Sequence, residues 1–251
     1  SQYTDVLLTI NQEDYKVSQS FKAKENYILP GIGVDTEKFI YKPDYKYLRC
    51  ELGIGENDVI MLSVGELIER KNHETIINVV ARIKDPHIHY VVVGDGELRY
   101  YLNEKVSILG LNNVHLLGYR TDINKLCNSA DIFIMPSYQE GLSVALMEAM
   151  ACGMPIIASR IRGNVDLIDE NKGGYLVNVT DEEGYIKAIK NLIHDSDKRE
   201  RMGRYNMKKV EDYDIKNVSK QLNPIVERIG GGHFFAERQD GETEGDKENE
   251  W

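Results

Sequence analysis

Glu140 and Glu148 stand eight positions apart in the stretch Pro136 to Ser159, PSYQEGLSVALMEAMACGMPIIAS, with Gly141 directly after the first and Gly153-Met154-Pro155 near its end. Two carboxylates at this spacing can work as acid and base, or can hold two parts of one elongated ligand. On a helix they would be offset by roughly 80° around the axis and ~9–12 Å along it. Distance alone does not exclude an inverting-glycosidase pair, whose carboxyls lie about 6.5–9.5 Å apart. The residues between the two acids, however, read as a helix opening directly after a strand. Its unpaired N–H groups and its dipole attract an anion. A phosphate seat with a carboxylate on either side suits hydroxyl groups flanking a phosphate.

The elements that must carry this seat follow from pattern. Asp131–Met135 is a short apolar strand ended by Pro136, and Leu142–Cys152 is rich in Ala, Leu and Met, good helix formers, with Gly153 as C-terminal cap. Strands are also expected at Val59–Val64, His89–Val93, Val114–Leu117, Pro155–Ser159 and Gly174–Val177, and helices at Glu74–Lys84, Leu98–Leu109 and Ile123–Ser129. Apolar strands alternating with helices predict an α/β fold, a doubly wound Rossmann-like parallel sheet covered on both faces, with ligands above the carboxyl ends of the strands. Upstream, Asp5–Ile10 reads as a strand, followed by a polar helix to about Phe21 with Asn11 as its N-cap. Gly31 and Gly33 read as a plain tight turn. One strand and one helix bury no core of their own, so residues 1–42 are expected to be the remnant of a second domain and its linker. From Asp181 to about Ile229 the pattern is helical.

Composition narrows the function. The 251 residues are 41% hydrophobic, enough for a core, and carry a net charge of −10, which argues against nucleic acid as partner. Between Glu237 and Glu250 seven acids face only Arg238 and Lys247, so half of that charge sits in a tail, residues 229–251, expected to be disordered. Cys50, Cys127 and Cys152 form no CxxC pair, so neither a disulfide framework nor a zinc site is indicated, and a cytoplasmic setting fits. No run of 18 apolar residues and no leader pattern is present. The strings Asp195-Ser196-Asp197 and Asp212-Tyr213-Asp214 do not end apolar strands, so no metal is expected at either.

The segment Pro136–Ala158 resembles the E-x7-E signature of the retaining nucleotide-sugar glycosyltransferases of GT-B fold, in particular glycosyltransferase family 4. The resemblance rests on Pro136-Ser137, Glu140-Gly141-Leu142, Glu148-Ala149-Met150-Ala151 and Gly153-Met154-Pro155-Ile156-Ile157-Ala158, and extends over about residues 1–228. It implies that residues 43–228 are the donor-binding half of such an enzyme, with no bound cofactor and a nucleotide-diphosphate sugar, UDP-linked by expectation, as substrate. It further implies that Glu148 holds the ribose hydroxyls and Glu140 the sugar hydroxyls. Lys71, with the backbone N–H groups of Gly141, Leu142 and Ser143, would stabilise the departing diphosphate.

The loop Gly65–Glu74 supplies Lys71. An arginine usual in the family five positions earlier is Glu66 here, a change similar to that in capsular and exopolysaccharide-type members, and Arg70 is the candidate substitute. Gly65 and the backbone of Tyr119 and Arg120 are expected to line the nucleotide. Gly94-Asp95-Gly96 reads as a structural turn or, alternatively, as a lining of the nucleotide pocket, His73 as a polar helix start, and Asp122 as a helix cap. A glycan or lipid-linked acceptor would bind through the missing N-terminal half. By analogy only, the resemblance places the protein at the inner face of a membrane. The chain looks like a fragment, expected to bind donor but to transfer sugar poorly. A GT-B epimerase or phosphorylase would share the cleft, and a nucleotide-sugar binding module would keep the pocket without catalysis.

Overall fold

The computed structural model describes residues 4–230. The predicted tail lies almost wholly outside the described residues. Eight strands and ten α-helices are present among them. A two-stranded parallel sheet pairs β1 (Val6–Thr9) with β2 (Glu25–Ile28), bridged by α1 (Gln12–Ser18). Asn11 caps α1, its side chain accepting from the N–H of Asp14 at 2.8 Å.

After α2 (Lys46–Leu52), six parallel strands form one sheet: β3 (Val59–Val64), β4 (Ile88–Val93), β5 (Val114–Gly118), β6 (Ile132–Met135), β7 (Ile156–Ser159) and β8 (Gly174–Val177). Their spatial order is β5-β4-β3-β6-β7-β8. The chain therefore winds outward from β3 in one direction, then returns to its other side at β6 and winds the opposite way. The carboxyl ends of β3 and β6 thus flank the switch point of a doubly wound sheet, where this architecture opens a crevice. The connecting helices are α3 (His73–Ile83), α4 (Arg99–Ile108), α5 (Ile123–Ser129), α6 (Val144–Ala151) and the short α7 (Asn164–Leu167), followed by α8 (Glu182–Ile193).

Strand alternation sorts the core into two layers. Ile60, Leu62, Phe133, Met135 and Ile156 pack with Leu146, Met147 and Met150 of α6, while Met61, Tyr90, Ile132, Ile134 and Ile157 pack with Ile76, Val80, Ile189 and Leu192 of α3 and α8. Successive side chains on a strand point to opposite faces, so a sheet buried on both sides needs apolar residues in unbroken runs. That is what β3 and β6 carry.

Several helix and strand starts differ from expectation by one or two residues, and two of them have a visible cause. Asp131 precedes β6 because its carboxylate leaves the strand pattern to accept from Arg49 and from the N–H of Ile60, both at 2.9 Å. The helix expected from Leu142 begins at Val144, because Ser143 takes the N-cap position and its hydroxyl accepts from the N–H of Leu146.

The C-terminal helices α9 (Ser196–Val210) and α10 (Ile215–Arg228) run back across the molecule. The N–H of Val34 donates to the carbonyl of Tyr213, the N–H of Ile215 donates to the carbonyl of Val34, and Arg228 pairs with Glu25 of β2. Gly33 makes this approach possible: its φ is +84°, and a Cβ there would lie 2.8 Å from the Cα of Ile215. The N-terminal strand pair is thereby fastened to the large sheet.

Candidate active site

The loop after β3 and the loop after β6 meet over the switch point. Residues 69–71 form a 3-10 turn ended by Asn72 in the left-handed region, at φ 54°. This turn is fastened to the β6 loop by a series of bonds. The Asn72 side chain donates to the carbonyl of Pro136 at 3.0 Å, and the N–H of Tyr138 donates to the carbonyl of Arg70 at 2.8 Å. Arg70 Nη1 donates to the carbonyl of Gln139 at 2.9 Å and reaches Glu140 Oε2 at 3.3 Å. Lys71 Nζ lies 2.8 Å from Glu140 Oε1. Glu140 is only 6% exposed, so its carboxylate is held between two cations in a poorly solvated site.

The neighbouring glycines serve this junction. Gly65 lets the Lys71 stem lie against it, since a Cβ there would touch Lys71 Cδ and Cε at 3.4 Å. Gly94 packs on Gly65, and a Cβ on it would fall 1.9 Å from the Gly65 carbonyl oxygen, which makes Gly94-Asp95-Gly96 a structural turn. On the other side, Gly163, at φ +80°, abuts the carbonyl of Gly141 so closely that a Cβ would be 1.5 Å from its oxygen.

Gly141, Leu142 and Ser143 stand at the expected place, but the later helix start changes what they offer. Their N–H groups belong to the loop before α6, whereas the helix itself opens at Val144 and Ala145, whose N–H groups have no intrahelical partner. Leu142 is buried against Gly31, whose turn therefore does more than reverse the chain.

Glu148 lies about one turn into α6 and is half-buried. Desolvation pushes its pKa up to about 7, with the charge of Lys38 pulling the other way. Among the described residues its carboxyl makes no ion pair, so it is a poorly solvated acid without a fixed partner.

At the end of β5, Tyr119 is 76% exposed. Arg120 turns its guanidinium away from the crevice to Asp122, to Glu51 at 2.6 Å and to Tyr47, leaving only its backbone for a ligand. Asp122 precedes α5 yet does not cap it. Its carboxylate goes to Arg120 and Tyr47, and the Arg120 contact holds it well below the usual carboxylate range.

His73 does open α3, but it is buried. Its Nδ1 is 3.1 Å from the hydroxyl of Tyr90, and desolvation lowers its pKa to about 4, so it stands neutral beneath the loop. The two Asp-x-Asp strings are put to structural use: Asp195 caps α9, and Asp214 caps α10 and binds Thr36.

Two residues escaped the sequence reading. Asn72 carries the bond to Pro136, and Lys38, from the linker, is the cation near Glu148. The asparagine just before the expected helix start at Glu74 is a recognisable turn signal for the first. Nothing local to Lys38 announces the second.

A cavity of about 510 Å³ lined by Tyr138, Gln139, Arg160 and Arg162 adjoins the β6 loop. Another of about 430 Å³, lined by Arg49, Cys127, Asp131 and Pro155, opens at the amino ends of β6 and β7, the wrong end of the sheet for a ligand in this architecture.

This arrangement of a P-S-x-x-E-G loop, a lysine-bearing loop and a second glutamate on α6 coincides with a family match: the model of the glycosyl transferases group 1 fits residues 45–209, well over half of the chain. The chain belongs to the group 1 glycosyl transferases. It is 32% identical over 207 residues, 76% of its length, to the UDP-Gal:alpha-D-GlcNAc-diphosphoundecaprenol alpha-1,3-galactosyltransferase of Escherichia coli, and covers 52% of that protein. It is 30% identical over 155 residues, 61% of its length, to the lipopolysaccharide core biosynthesis glycosyltransferase LpsE of Rhizobium meliloti, covering 45% of that protein. The chain thus spans about half the length of the curated relatives it matches. Among solved structures, Anabaena Alr3699/HepE in complex with UDP superposes with a TM-score of 0.82 over 89% of this chain and 64% of the other, at 21% identity, which shows the shared GT-B fold.

Proposed function

We propose that this group 1 glycosyl transferase chain is the donor-binding half of a retaining family 4 enzyme, transferring a hexose-type sugar from a UDP-sugar to a glycan or lipid-linked acceptor. The observation that carries the reading is the convergence of Lys71, Arg70 and Glu140 at the switch point, with Glu148 on the adjoining helix. Residues 1–42 would belong to the acceptor domain and 43–228 to the donor domain. UDP as the nucleotide is supported by the UDP bound in the HepE structure and by the UDP-Gal named in the Escherichia coli relative. The diphosphoundecaprenol in that same name supports a lipid-linked acceptor and, with it, a place at the inner face of a membrane.

In this reading the diphosphate sits over the start of α6. Lys71 and the N–H groups of residues 141–145 face the charge that grows on the leaving group as the glycosidic bond breaks. Fixed donors in a poorly solvated site stabilise that charge without reorganising. Glu148, as carboxylate, accepts from the ribose hydroxyls, and Glu140 from the sugar. Arg70, which the sequence marked as a phosphate ligand, is engaged by the backbone of the β6 loop, so its first task is to hold Gln139 and Glu140 in place. Gly65 supports Lys71, and the Tyr119–Arg120 backbone faces the base.

The test is transfer by this chain joined to its upstream segment, with UDP-sugars as donors and proton NMR of the product. An α-linked product from an α-linked donor is expected. A β-linked product would remove the retaining assignment, and products only from GDP- or ADP-sugars would remove UDP.

A further inference from the structure

In the free protein the lysine assigned to the diphosphate is already neutralised from within. Glu140 presents one oxygen to Lys71 Nζ at 2.8 Å and the other to Arg70 Nη1 at 3.3 Å, with the Lys71 side chain 14% and the Glu140 side chain 8% exposed. A lysine this poorly solvated is costly without an anion, so some group must stand in whenever no phosphate is present. We propose that Glu140 is that resident counter-anion: the donor's diphosphate displaces it from Lys71, and only then is its carboxylate released to the sugar hydroxyls. This rests on the nucleotide-sugar reading given above and adds an order of events to it.

The exchange has a chemical logic. A diphosphate carries more charge and more acceptor oxygens than a carboxylate, and the N–H groups at the start of α6 add donors that Glu140 does not use. A displaced, buried carboxylate is then in need of hydrogen bonds. An intact sugar supplies them, whereas free UDP, lacking the sugar, leaves Glu140 with only its 3.3 Å contact to Arg70. The free protein is thereby biased toward the whole donor over its nucleotide product. Glu140 is a positioning residue for Lys71 before binding and a sugar ligand after it.

Isothermal titration of the chain with UDP, UDP-glucose and uridine tests this. Glu140→Gln keeps the shape but removes the competing charge, so UDP should bind about tenfold more tightly, UDP-glucose should gain less, and uridine, without phosphates, should be unchanged. Lys71→Ala separates the layers of the argument. If it leaves UDP binding intact, the diphosphate seat itself is wrong and the exchange falls with it. If it weakens UDP while Glu140→Gln fails to tighten it, the exchange alone is overturned. A crystal structure of the unmodified protein with UDP-glucose gives an independent reading that needs no variant. Glu140 should have left Lys71 for the sugar, and an intact Lys71–Glu140 pair in that complex would overturn the proposal.

Discussion

A carboxyl that ionises only near neutrality makes Glu148 the residue through which pH should act on this protein. Its pKa in the folded chain stands at about 7, raised by desolvation above the ordinary 4.5. The folded state therefore binds this proton more tightly than the unfolded chain does. Its contribution to stability is complete below about pH 4.5 and is lost as pH rises through about 7. If Glu148 holds the ribose as proposed, nucleotide binding runs the other way, because two hydroxyls donate best to a carboxylate. UDP should bind about tenfold more weakly at pH 6 than at pH 8, as titrations at both values would show, and Glu148→Gln should flatten the dependence. A flat profile in the unmodified protein would remove Glu148 from the ribose. On the proposed reading, Lys71 acts on the transition state as well as on the ground state. In the chain joined to its upstream segment, Lys71→Ala is expected to lower kcat by about a hundredfold while raising the Kd of the UDP-sugar by much less. Equal turnover with weaker binding would contradict that role.

Among the elements, the loops are what the site depends on, and their glycines are the points of failure. Gly163→Ala places a methyl group 1.5 Å from the Gly141 oxygen on a backbone at φ +80°, so the β6 loop must move. Nucleotide binding should be lost while far-UV circular dichroism stays that of the parent. Retained affinity would show that the loop's position matters little.

The six strands and the longer helices between them were legible in the sequence, with edges off by one or two residues, because apolar runs such as Val59–Leu62 and Ile132–Met135 leave no other burial pattern, whereas the four-residue α7 was not read. The E-x7-E spacing and Lys71 were legible as motif. What the sequence did not disclose depends on contacts across 64 to 70 positions: Asn72 reaching Pro136, Arg70 engaged by the β6 loop, and Lys71 paired with Glu140. A side chain that leaves its own local pattern for distant partners, as Asp131 does for Arg49 and Ile60, shifts an element edge for the same reason, whereas Ser143 shifts one by capping its own helix.

For the whole molecule, the order β5-β4-β3-β6-β7-β8 decides where chemistry can occur, since it puts the loops after β3 and β6 side by side. α10 and the turn at residues 31–33 then fasten the N-terminal strand pair beside Leu142. Hydrogen–deuterium exchange of the chain with and without UDP measures the central claim directly, because it reports where the nucleotide sits. Protection is expected in peptides covering residues 63–73 and 136–152, with little change in those covering 182–210. Binding of UDP with protection elsewhere, or with none in these two loops, would contradict a diphosphate seat at the switch point.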